Sequence, residues 1–266
     1  MTSPVSMPTY ALLGATGATG SAVLRYLLEA PPKGLRLNVL VRNKTKLLTQ
    51  FPDLESTKAF ELNIFEGTSD DGTSLKRCLK GAEVVHMCIA TNESKEGLSL
   101  AQDTTKAIIS ALEQLREEAG PAYTKPTILM LRSAGINEKF QSGREWGKQV
   151  GHFVLHYVYT DLQLACDLLS STAQEAPGLL NYIIVDPPAL HNADGTTRTG
   201  HKLVVDEMPP TSLMYADLGA GFCEIAERKE EFVGKAVGVA ATGEVTQTWG
   251  VLLGYLGQGL KSRVIG

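Results

Sequence analysis

Three glycines spaced three residues apart, Gly14, Gly17 and Gly20, follow an apolar run at positions 10–13. This pattern predicts a buried strand, a glycine-rich turn and then a helix over 21–30. A dinucleotide site needs one glycine for the tight turn, one for close approach of the backbone to the pyrophosphate and one for helix packing. The free N–H groups at the start of the helix then face the phosphates. We expect the intervening positions to line the same site: Thr16, Ala18 and Thr19.

The residue after the second predicted strand selects between the two nicotinamide dinucleotides. An acid at this position binds the 2′-hydroxyl of the ribose. Here Arg42 follows the strand 35–41, with Lys44 and Lys46 close behind and no acid before Asp53. A guanidinium beside an ammonium suits a 2′-phosphate. The sequence therefore predicts NADP(H) as the cofactor, with Arg42 and Lys46 on its phosphate.

The ends of two further strands complete the expected cofactor site, because ligands bind beyond the carboxyl ends of parallel strands. Asn63 and Ile64 end the predicted strand 59–63 and are expected to border the adenine. The residues that follow the predicted strand 83–89 are expected to line the ribose and pyrophosphate: Ala90, Thr91 and Asn92.

Strand and helix patterns alternate through the first two thirds of the chain. The strand 83–89 is almost continuously apolar, which is typical of a parallel strand buried on both faces. The patterns at 98–118 and 150–174 predict long helices. The other predicted elements are the helices 44–51, 74–80 and 215–228 and the strands 127–131, 180–185, 203–205 and 235–241. This alternation predicts an α/β fold, a Rossmann-type doubly wound parallel sheet.

The sequence pattern changes after the sixth predicted strand, where Asp186-Pro187-Pro188 begins a polar, glycine-containing segment. We interpret the C-terminal third as a small substrate-binding region folded onto the sheet. The expected organisation is one NAD(P)-binding Rossmann domain over 1–266, with the substrate-binding region drawn mainly from 132–160 and 186–266.

Composition limits the class of protein. The chain has 266 residues, is 43% hydrophobic and carries a net charge of −4, which suits one large α/β domain and argues against nucleic acid or an anionic membrane as a partner. Its four scattered cysteines form no CxxC pair and are typical of buried thiols in a reducing compartment. No signal peptide is visible, and no apolar run approaches the ~20 residues of a membrane helix. We expect a cytoplasmic protein that acts on a small molecule.

Four tracts of the chain resemble one family: the glycine run, Val41-Arg42-Asn43, Leu179 to Leu190, and Tyr215 to Gly219. Together they are similar, nearly end to end, to the NmrA-like group of atypical short-chain dehydrogenases/reductases, and most of all to fungal members that modify secondary metabolites. The resemblance implies an NADP(H)-binding Rossmann fold. The group includes NADPH-dependent reductases, redox-sensing regulators without catalysis, and cyclases that keep the nucleotide without net redox chemistry.

The resemblance also implies where catalysis takes place. In the wider superfamily, a serine after the fifth strand and a Tyr-x-x-x-Lys on the next helix carry the proton transfer. Ser133 matches the serine, and Tyr157 best matches the tyrosine. However, the fourth residue after Tyr157 is Asp161, and the fourth residue after Tyr159 is Gln163. The lysine that lowers the tyrosine pKa is missing in both registers, which puts the ordinary carbonyl-reductase mechanism in doubt.

Three functions stay open at this point. The leading one is an NADPH-dependent oxidoreductase acting on a secondary-metabolite intermediate, either an imine, whose iminium form accepts hydride without an acid, or a carbonyl compound. The second is a redox-neutral cyclase of Pictet–Spengler type that retains NADP(H) in an alkaloid or polyketide pathway. The third is a non-catalytic regulator that senses NADP(H).

Further acid–base candidates lie on the same two elements. Arg132 stands between an apolar strand and a glycine turn at the carboxyl edge of the sheet, where we expect it to bind a substrate carboxylate or carbonyl. Asp161 and Asp167 are six residues apart on the predicted helix, so they do not share one face. For each carboxylate a catalytic role and a structural role, as helix support or in an ion pair, have equal weight.

Other polar and aromatic residues have simpler interpretations. The resemblance implies that Pro188 lies beside the nicotinamide, with His191 just beyond it and within reach of the substrate. Trp146 is expected either in a lid, stacked on an aromatic substrate, or in a partly exposed hinge. His152 and His156 have the spacing of one helical turn that metal sites use, but no third ligand accompanies them, so no metal site is predicted.

Overall fold

A computed structural model describes residues 7–140, 153–205, 207, 209 and 212–245. The strands are β1 Thr9–Leu13, β2 Arg36–Val41, β3 Glu61–Glu66, β4 Val84–Met87, β5 Thr127–Leu131, β6 Asn181–Asp186, β7 Ala189–His191, β8 His201–Val204, β9 Ser212–Met214 and β10 Ala236–Ala241. The helices are α1 Ala18–Glu29, α2 Lys44–Gln50, α3 Gly72–Leu79, α4 Leu100–Ala119, α5 His156–Glu175, α6 Tyr215–Glu227 and α7 Lys229–Phe232.

Eight of the strands form one sheet in the order β3-β2-β1-β4-β5-β6-β10-β8. Every neighbouring pair in this sheet is parallel except β10 and β8, which are antiparallel. The order turns back between β1 and β4, so the carboxyl ends of these strands open the crevice in which such sheets bind their ligands. The predicted Rossmann-type doubly wound sheet is confirmed.

Helices cover both faces of the sheet, and each face has its own apolar core. One core contains Leu27 of α1 and Phe222 of α6, and the other contains Ile108 of α4 and Leu169 of α5. Leu12 and Leu13 of β1 point to opposite cores and are both fully buried. Burial on both faces explains the nearly continuous apolar runs of the central strands.

The C-terminal third joins the sheet as well as covering it. Strands β10 and β8 extend the sheet beyond β6, and α6 crosses α1 so closely that a Cβ atom on Gly219 would lie 2.4 Å from the carbonyl carbon of Ala22. The buried carboxylate of Asp217 accepts hydrogen bonds from the backbone amides of Thr199 and Gly200 at 2.9 and 3.0 Å. These contacts hold the segment before β8 against the layer that contains α1.

Most predicted boundaries differ from the structure by one or two residues, and three elements differ more. Strand β3 is shifted towards the C-terminus and ends at Glu66, because it pairs with β2 along its whole length. Its polar side chains lie on an exposed edge strand, and this obscured its true end in the sequence. Helix α1 begins at Ala18 and α5 at His156, while positions 150–152 lie outside the described residues.

None of the helices in the described ranges is both long and apolar enough to cross a lipid bilayer.

Candidate functional site

The glycine-rich turn after β1 has the geometry of a phosphate-binding loop. Gly14 has a φ of +88°, and a Cβ there would lie 2.8 Å from the carbonyl oxygen of Cys88. A Cβ on Gly20 would lie 2.1 Å from the carbonyl oxygen of Gly14, so the helix packs directly on the turn. At Gly17 a Cβ would meet protein only at 3.3 Å, and this residue is exposed. The side of Gly17 that faces solvent is thus open to a close ligand.

The start of α1 provides hydrogen-bond donors to such a ligand. Gly17 is the N-cap residue and has no side chain to bond the first amides, and the first turn contains no acid. The first N–H groups of a helix have no partners within the helix, and the helix dipole favours an anion beside them. Thr16, Ala18 and Thr19 surround this end of the helix. These residues and the three glycines therefore fit a dinucleotide pyrophosphate.

Two basic side chains lie where the cofactor's ribose is expected. Arg42 is exposed directly after β2. Asn43 caps α2 by accepting a hydrogen bond from the Lys46 amide at 2.8 Å, and Lys44 forms an ion pair with Glu55 at 2.8 Å. Neither Arg42 nor Lys46 forms an ion pair with any described residue. Their charges are available for a 2′-phosphate.

The expected end of the third strand at Asn63 and Ile64 is wrong, and their place at the adenine border stays a prediction. Both residues lie inside β3, and the amide of Asn63 donates to the Asn38 side chain at 3.0 Å, which in turn donates to the carbonyl of Cys78 at 2.9 Å. The strand reaches the carboxyl edge of the sheet at Glu66, level with Val41. The residues that border this corner of the crevice are therefore Glu66, Gly67 and Thr68.

The segment after β4 lies beside the glycine-rich turn. The carbonyl of Cys88 is adjacent to Gly14, and the chain continues into the partly or fully exposed residues Ala90, Thr91 and Asn92. The hydroxyl of Thr91 accepts a hydrogen bond from the amide of Glu93 at 3.1 Å, which forms a tight local turn. This arrangement is compatible with contacts to the ribose and pyrophosphate.

Ser133 lies next to Tyr159, whereas the sequence ranked Tyr157 first; the choice of Tyr157 as the catalytic tyrosine stays a prediction. Ser133 follows β5, and its hydroxyl forms a hydrogen bond with the side chain of Tyr159. A Cβ on Gly135 would lie 2.7 Å from the Tyr159 hydroxyl oxygen, so the turn after Ser133 leaves room for that hydroxyl. The ring of Tyr157 contacts the ring of His156 edge-on, with centroids 5.2 Å apart. Two residues along a helix turn the side chain by roughly half a circle, which separates the two tyrosines.

Tyr159 is thus the tyrosine that lies beside Ser133, and the residue one turn later on α5 is Gln163. Burial raises the pKa of Tyr159, and the hydrogen bond from Ser133 opposes this rise. The amide of Gln163 donates to Asp167 at 2.7 Å. The described residues thus contain a serine–tyrosine pair without the lysine that accompanies it in the wider superfamily.

The sequence predicted that Arg132 binds a substrate carboxylate or carbonyl, but in the structure its guanidinium is already engaged by another residue. Its guanidinium makes two hydrogen bonds to Asp186, Nε to Oδ1 at 2.8 Å and Nη2 to Oδ2 at 2.6 Å. The amide of Asn137 donates to the same Oδ2 atom at 2.8 Å. The Arg132 side chain is 10% exposed and that of Asp186 is fully buried. This pair ties the ends of β5 and β6 together directly beneath the serine–tyrosine pair.

Asp186 and Asn137 are site residues that the sequence reasoning missed. Asp186 is the last residue of an apolar strand, directly before two prolines, and was treated only as the end of that strand. An unpaired carboxylate in such a position is costly, and this signal predicts a buried cation nearby.

The two candidate carboxylates of α5 have different surroundings. Asp161 is 3% exposed, and its two oxygens accept hydrogen bonds from the backbone amides of Ala101 and Gln102 at 2.8 and 3.1 Å. It therefore caps the start of α4, which favours the structural of the two roles that the sequence left open. Asp167 is exposed and accepts a hydrogen bond from the side-chain amide of Gln163 at 2.7 Å.

The remaining residues singled out in the sequence are Pro188 and His191, which follow β6, and Trp146 and His152. Pro188 is half-buried just beyond Asp186, and the carbonyl of Pro187 accepts a hydrogen bond from the amide of Ala134 at 2.9 Å. His191 ends β7, and burial lowers its pKa. Trp146 and His152 lie outside the described residues. No group of three or more metal-ligating side chains comes together among the residues that the structure describes.

The fold and this edge of the sheet define a class: a Rossmann-type protein with an open phosphate loop and a serine–tyrosine pair beside it. A family model described as NAD(P)H-binding matches residues 14–227. The chain therefore belongs to this NAD(P)H-binding family of NmrA-like, atypical short-chain dehydrogenases/reductases, as its sequence motifs predicted. A nicotinamide dinucleotide is its cofactor.

Known proteins similar to this chain include fungal enzymes. Averufin oxidase A of Dothistroma septosporum is 51% identical over 263 residues, covering 97% of this chain and 92% of that protein. Averufin oxidase A of Aspergillus flavus is 47% identical over 259 residues, covering 97% and 91%.

A solved structure supports the fold alone. A short-chain dehydrogenase/reductase from Veillonella parvula in complex with NADP has a TM-score of 0.63 and 16% identity, and the match covers 89% of this chain and 95% of that one.

Proposed function

We propose that the chain is an NADP(H)-dependent oxidoreductase of fungal secondary metabolism that acts on averufin or a close chemical relative of it. The observation that carries the proposal is the combination at one sheet edge of an open phosphate loop, the two exposed basic residues Arg42 and Lys46, and a serine–tyrosine pair. The names of the similar fungal proteins supply the substrate.

The phosphate loop and the nearby basic side chains support NADP(H) as the nucleotide. The exposed side of Gly17 and the uncapped start of α1 suit the pyrophosphate. Arg42 provides a planar, permanently charged group for a 2′-phosphate, and Lys46 provides a second charge in the first turn of α2. No acid is placed directly after β2, where one would select NAD(H). These features favour NADP(H) over NAD(H).

Ser133 and Tyr159 support a hydride-transfer reaction at this site. When bound, the nicotinamide supplies or accepts a hydride. Ser133 and Tyr159 are placed to bind a substrate oxygen and orient the carbon that reacts. The Arg132–Asp186 pair fixes the ends of the two strands below them, and Pro188 follows it on the side expected to face the nicotinamide. The role of Arg132 is thus to hold the site in place.

The test is turnover of averufin by the purified protein with NADP⁺ and, separately, with NADPH. We expect the absorbance of the reduced nicotinamide to change in step with conversion of the substrate. Conversion without any change in that absorbance indicates the redox-neutral cyclase. Binding of the nucleotide without conversion of averufin or its relatives indicates the regulator. The control is a Ser133→Ala/Tyr159→Phe double variant. If this site carries the catalysis, the variant should still bind NADPH but should no longer convert the substrate.

A further inference from the structure

Glu66 lies at the corner of the crevice where the ends of β2 and β3 meet. It is the last residue of β3 and pairs in register with Val41, the last residue of β2. Arg42 follows Val41 directly, and both Arg42 and Glu66 are exposed. A basic and an acidic residue therefore end neighbouring strands at the same edge of the sheet, where the proposed function places the ribose of the nucleotide.

The backbone on both sides of Glu66 is held in place. The amide of Gly67 donates to the carbonyl of Val41 at 2.9 Å, and the hydroxyl of Ser74 donates to the carbonyl of Glu66 at 3.1 Å. A Cβ on Gly67 would lie 2.7 Å from the Cβ of Ser74, so this turn packs closely against α3. These contacts fix the point from which the Glu66 side chain extends.

The Glu66 carboxylate is bound to the start of α2. Its Oε1 atom accepts a hydrogen bond from the backbone amide of Lys44 at 3.2 Å. The amide of Lys46 donates to the side chain of Asn43 at 2.8 Å. Two of the first three amides of α2 therefore bind side chains of the protein itself. Recognition of a 2′-phosphate then falls to the side chains of Arg42 and Lys46.

The carboxylate lies close to both of these basic residues along the chain. Lys44, whose amide it binds, is midway between Arg42 and Lys46 in sequence, and consecutive Cα atoms are about 3.8 Å apart. The ammonium of Lys44 forms an ion pair with Glu55 at 2.8 Å. We therefore expect a phosphate that is bound by Arg42 and Lys46 to lie within roughly one Debye length, ~10 Å, of the Glu66 charge.

We propose that Glu66 is a specificity-determining residue of the nucleotide site. Its carboxylate, held beside the start of α2, repels the 2′-phosphate and weakens the preference for NADP(H) that Arg42 and Lys46 create. The inference rests on the proposed function, since it concerns the same cofactor.

The repulsion acts on one of the two nucleotides. NADP(H) carries an anionic 2′-phosphate, whereas NAD(H) carries a neutral 2′-hydroxyl in the same place. A carboxylate that only stabilised the start of α2 would affect the binding of both nucleotides to the same extent. The ratio of the two Kd values therefore separates the proposed role from a purely structural one.

The test is fluorescence titration of the full chain with NADPH and with NADH, in the wild type and in Glu66→Gln. Glutamine has nearly the same shape and keeps an oxygen that can accept from the Lys44 amide, so the change removes the charge alone. We expect the Kd for NADPH to fall by about threefold to tenfold and that for NADH to stay within about twofold. The gain should shrink in about 1 M salt, where the Debye length is about 3 Å.

Glu61→Gln is the matched control, because Glu61 is an exposed carboxylate at the other end of β3, paired with Arg36 at 3.0 Å. It should leave both affinities unchanged, and Glu66→Asp, which keeps the charge, should keep the wild-type ratio of the two Kd values. An unchanged ratio in Glu66→Gln, or the same gain in Glu61→Gln, overturns this inference and leaves the proposed function standing. Failure of the wild type to bind either nucleotide overturns both.

Discussion

At the scale of single residues, we propose that Arg42 determines the choice between NADP(H) and NAD(H). We expect Arg42→Ala to weaken NADPH binding by roughly tenfold or more, since a charge-assisted hydrogen bond contributes about 1.5–3 kcal/mol. NADH has no 2′-phosphate, so its affinity should hardly change. Arg36→Ala is the matched control, because Arg36 lies at the other end of β2 in an exposed ion pair with Glu61 at 3.0 Å. Equal losses for both nucleotides in Arg42→Ala would contradict the assignment.

Asp161 tests whether a buried carboxylate of α5 is structural or catalytic. We expect Asp161→Ala to lower the free energy of unfolding by about 1–3 kcal/mol, because two amides at the start of α4 lose their acceptor. The affinity for NADPH should stay within twofold of the wild type. Asp167→Ala, at an exposed position, should change stability by no more than about 0.5 kcal/mol. Urea unfolding measures both; an unchanged Asp161→Ala protein that has lost turnover would favour the catalytic interpretation.

The sequence identified the kinds of side chain at the site better than their partners. The resemblance to the wider superfamily pointed to Ser133 and to the two tyrosines, but choosing between Tyr157 and Tyr159 requires knowing which face of α5 meets the end of β5. Arg132 was found too, but its partner Asp186 lies 54 positions away and only parallel pairing of β5 with β6 brings the two together. Long-range pairing of this kind cannot be read from local patterns.

At the scale of elements, the crossing of α1 and α6 positions the phosphate loop. A Cβ on Gly219 would lie within 3 Å of three backbone atoms of α1, so the two helices must separate to admit a methyl group. We expect Gly219→Ala to destabilise the protein by about 1–3 kcal/mol and to weaken NADPH binding, because α1 begins at the loop that we propose binds the phosphates.

Gly72→Ala is the control for that change. Gly72 is the first residue of α3 and has no atom within 4 Å of the added Cβ. Replacing it should be neutral or stabilise by up to about 1 kcal/mol. Thermal unfolding and NADPH titration of both variants provide the comparison. If the two variants have the same thermal stability and the same affinity for NADPH, the close crossing of α1 and α6 does not position the loop.

The sequence predicted the types of most helices and strands correctly, but it predicted their first and last residues less accurately. The central strands were found because they are buried on both faces, as the nearly continuous apolar run of β4 illustrates. The end of β3 was misplaced because it is an edge strand with polar side chains. The two-stranded sheet of β7 and β9 was not predicted, since each strand has three residues and the two pair across 20 intervening positions.

At the scale of the whole molecule, His86 links stability to pH. It lies fully buried in β4, its ring packs near Tyr10 and Phe222, and neither ring nitrogen has a hydrogen-bond partner among the described residues. Burial lowers its pKa from 6.5 to about 3. A histidine that is kept neutral in the folded state binds a proton more readily when unfolded, so its contribution to stability is present above pH 6.5 and is lost as pH falls towards 3.

We expect the unfolding free energy of the wild type to fall by about 2 kcal/mol more than that of His86→Leu between about pH 7 and pH 5. His156→Leu, which removes an exposed histidine, is the control and should follow the wild type. Urea unfolding at the two pH values measures the difference. The same pH dependence in His86→Leu and in the wild type would mean that His86 does not determine it.

The central claim about the whole molecule is that its open sheet edge binds NADP(H). The most direct measurement is a fluorescence titration of the wild-type protein with NADPH and with NADH under identical conditions. We predict saturable binding of NADPH with a Kd at least about tenfold lower than that of NADH, the difference expected for one charge-assisted contact to the 2′-phosphate. Equal affinity for the two nucleotides, or no binding of either, would contradict the account.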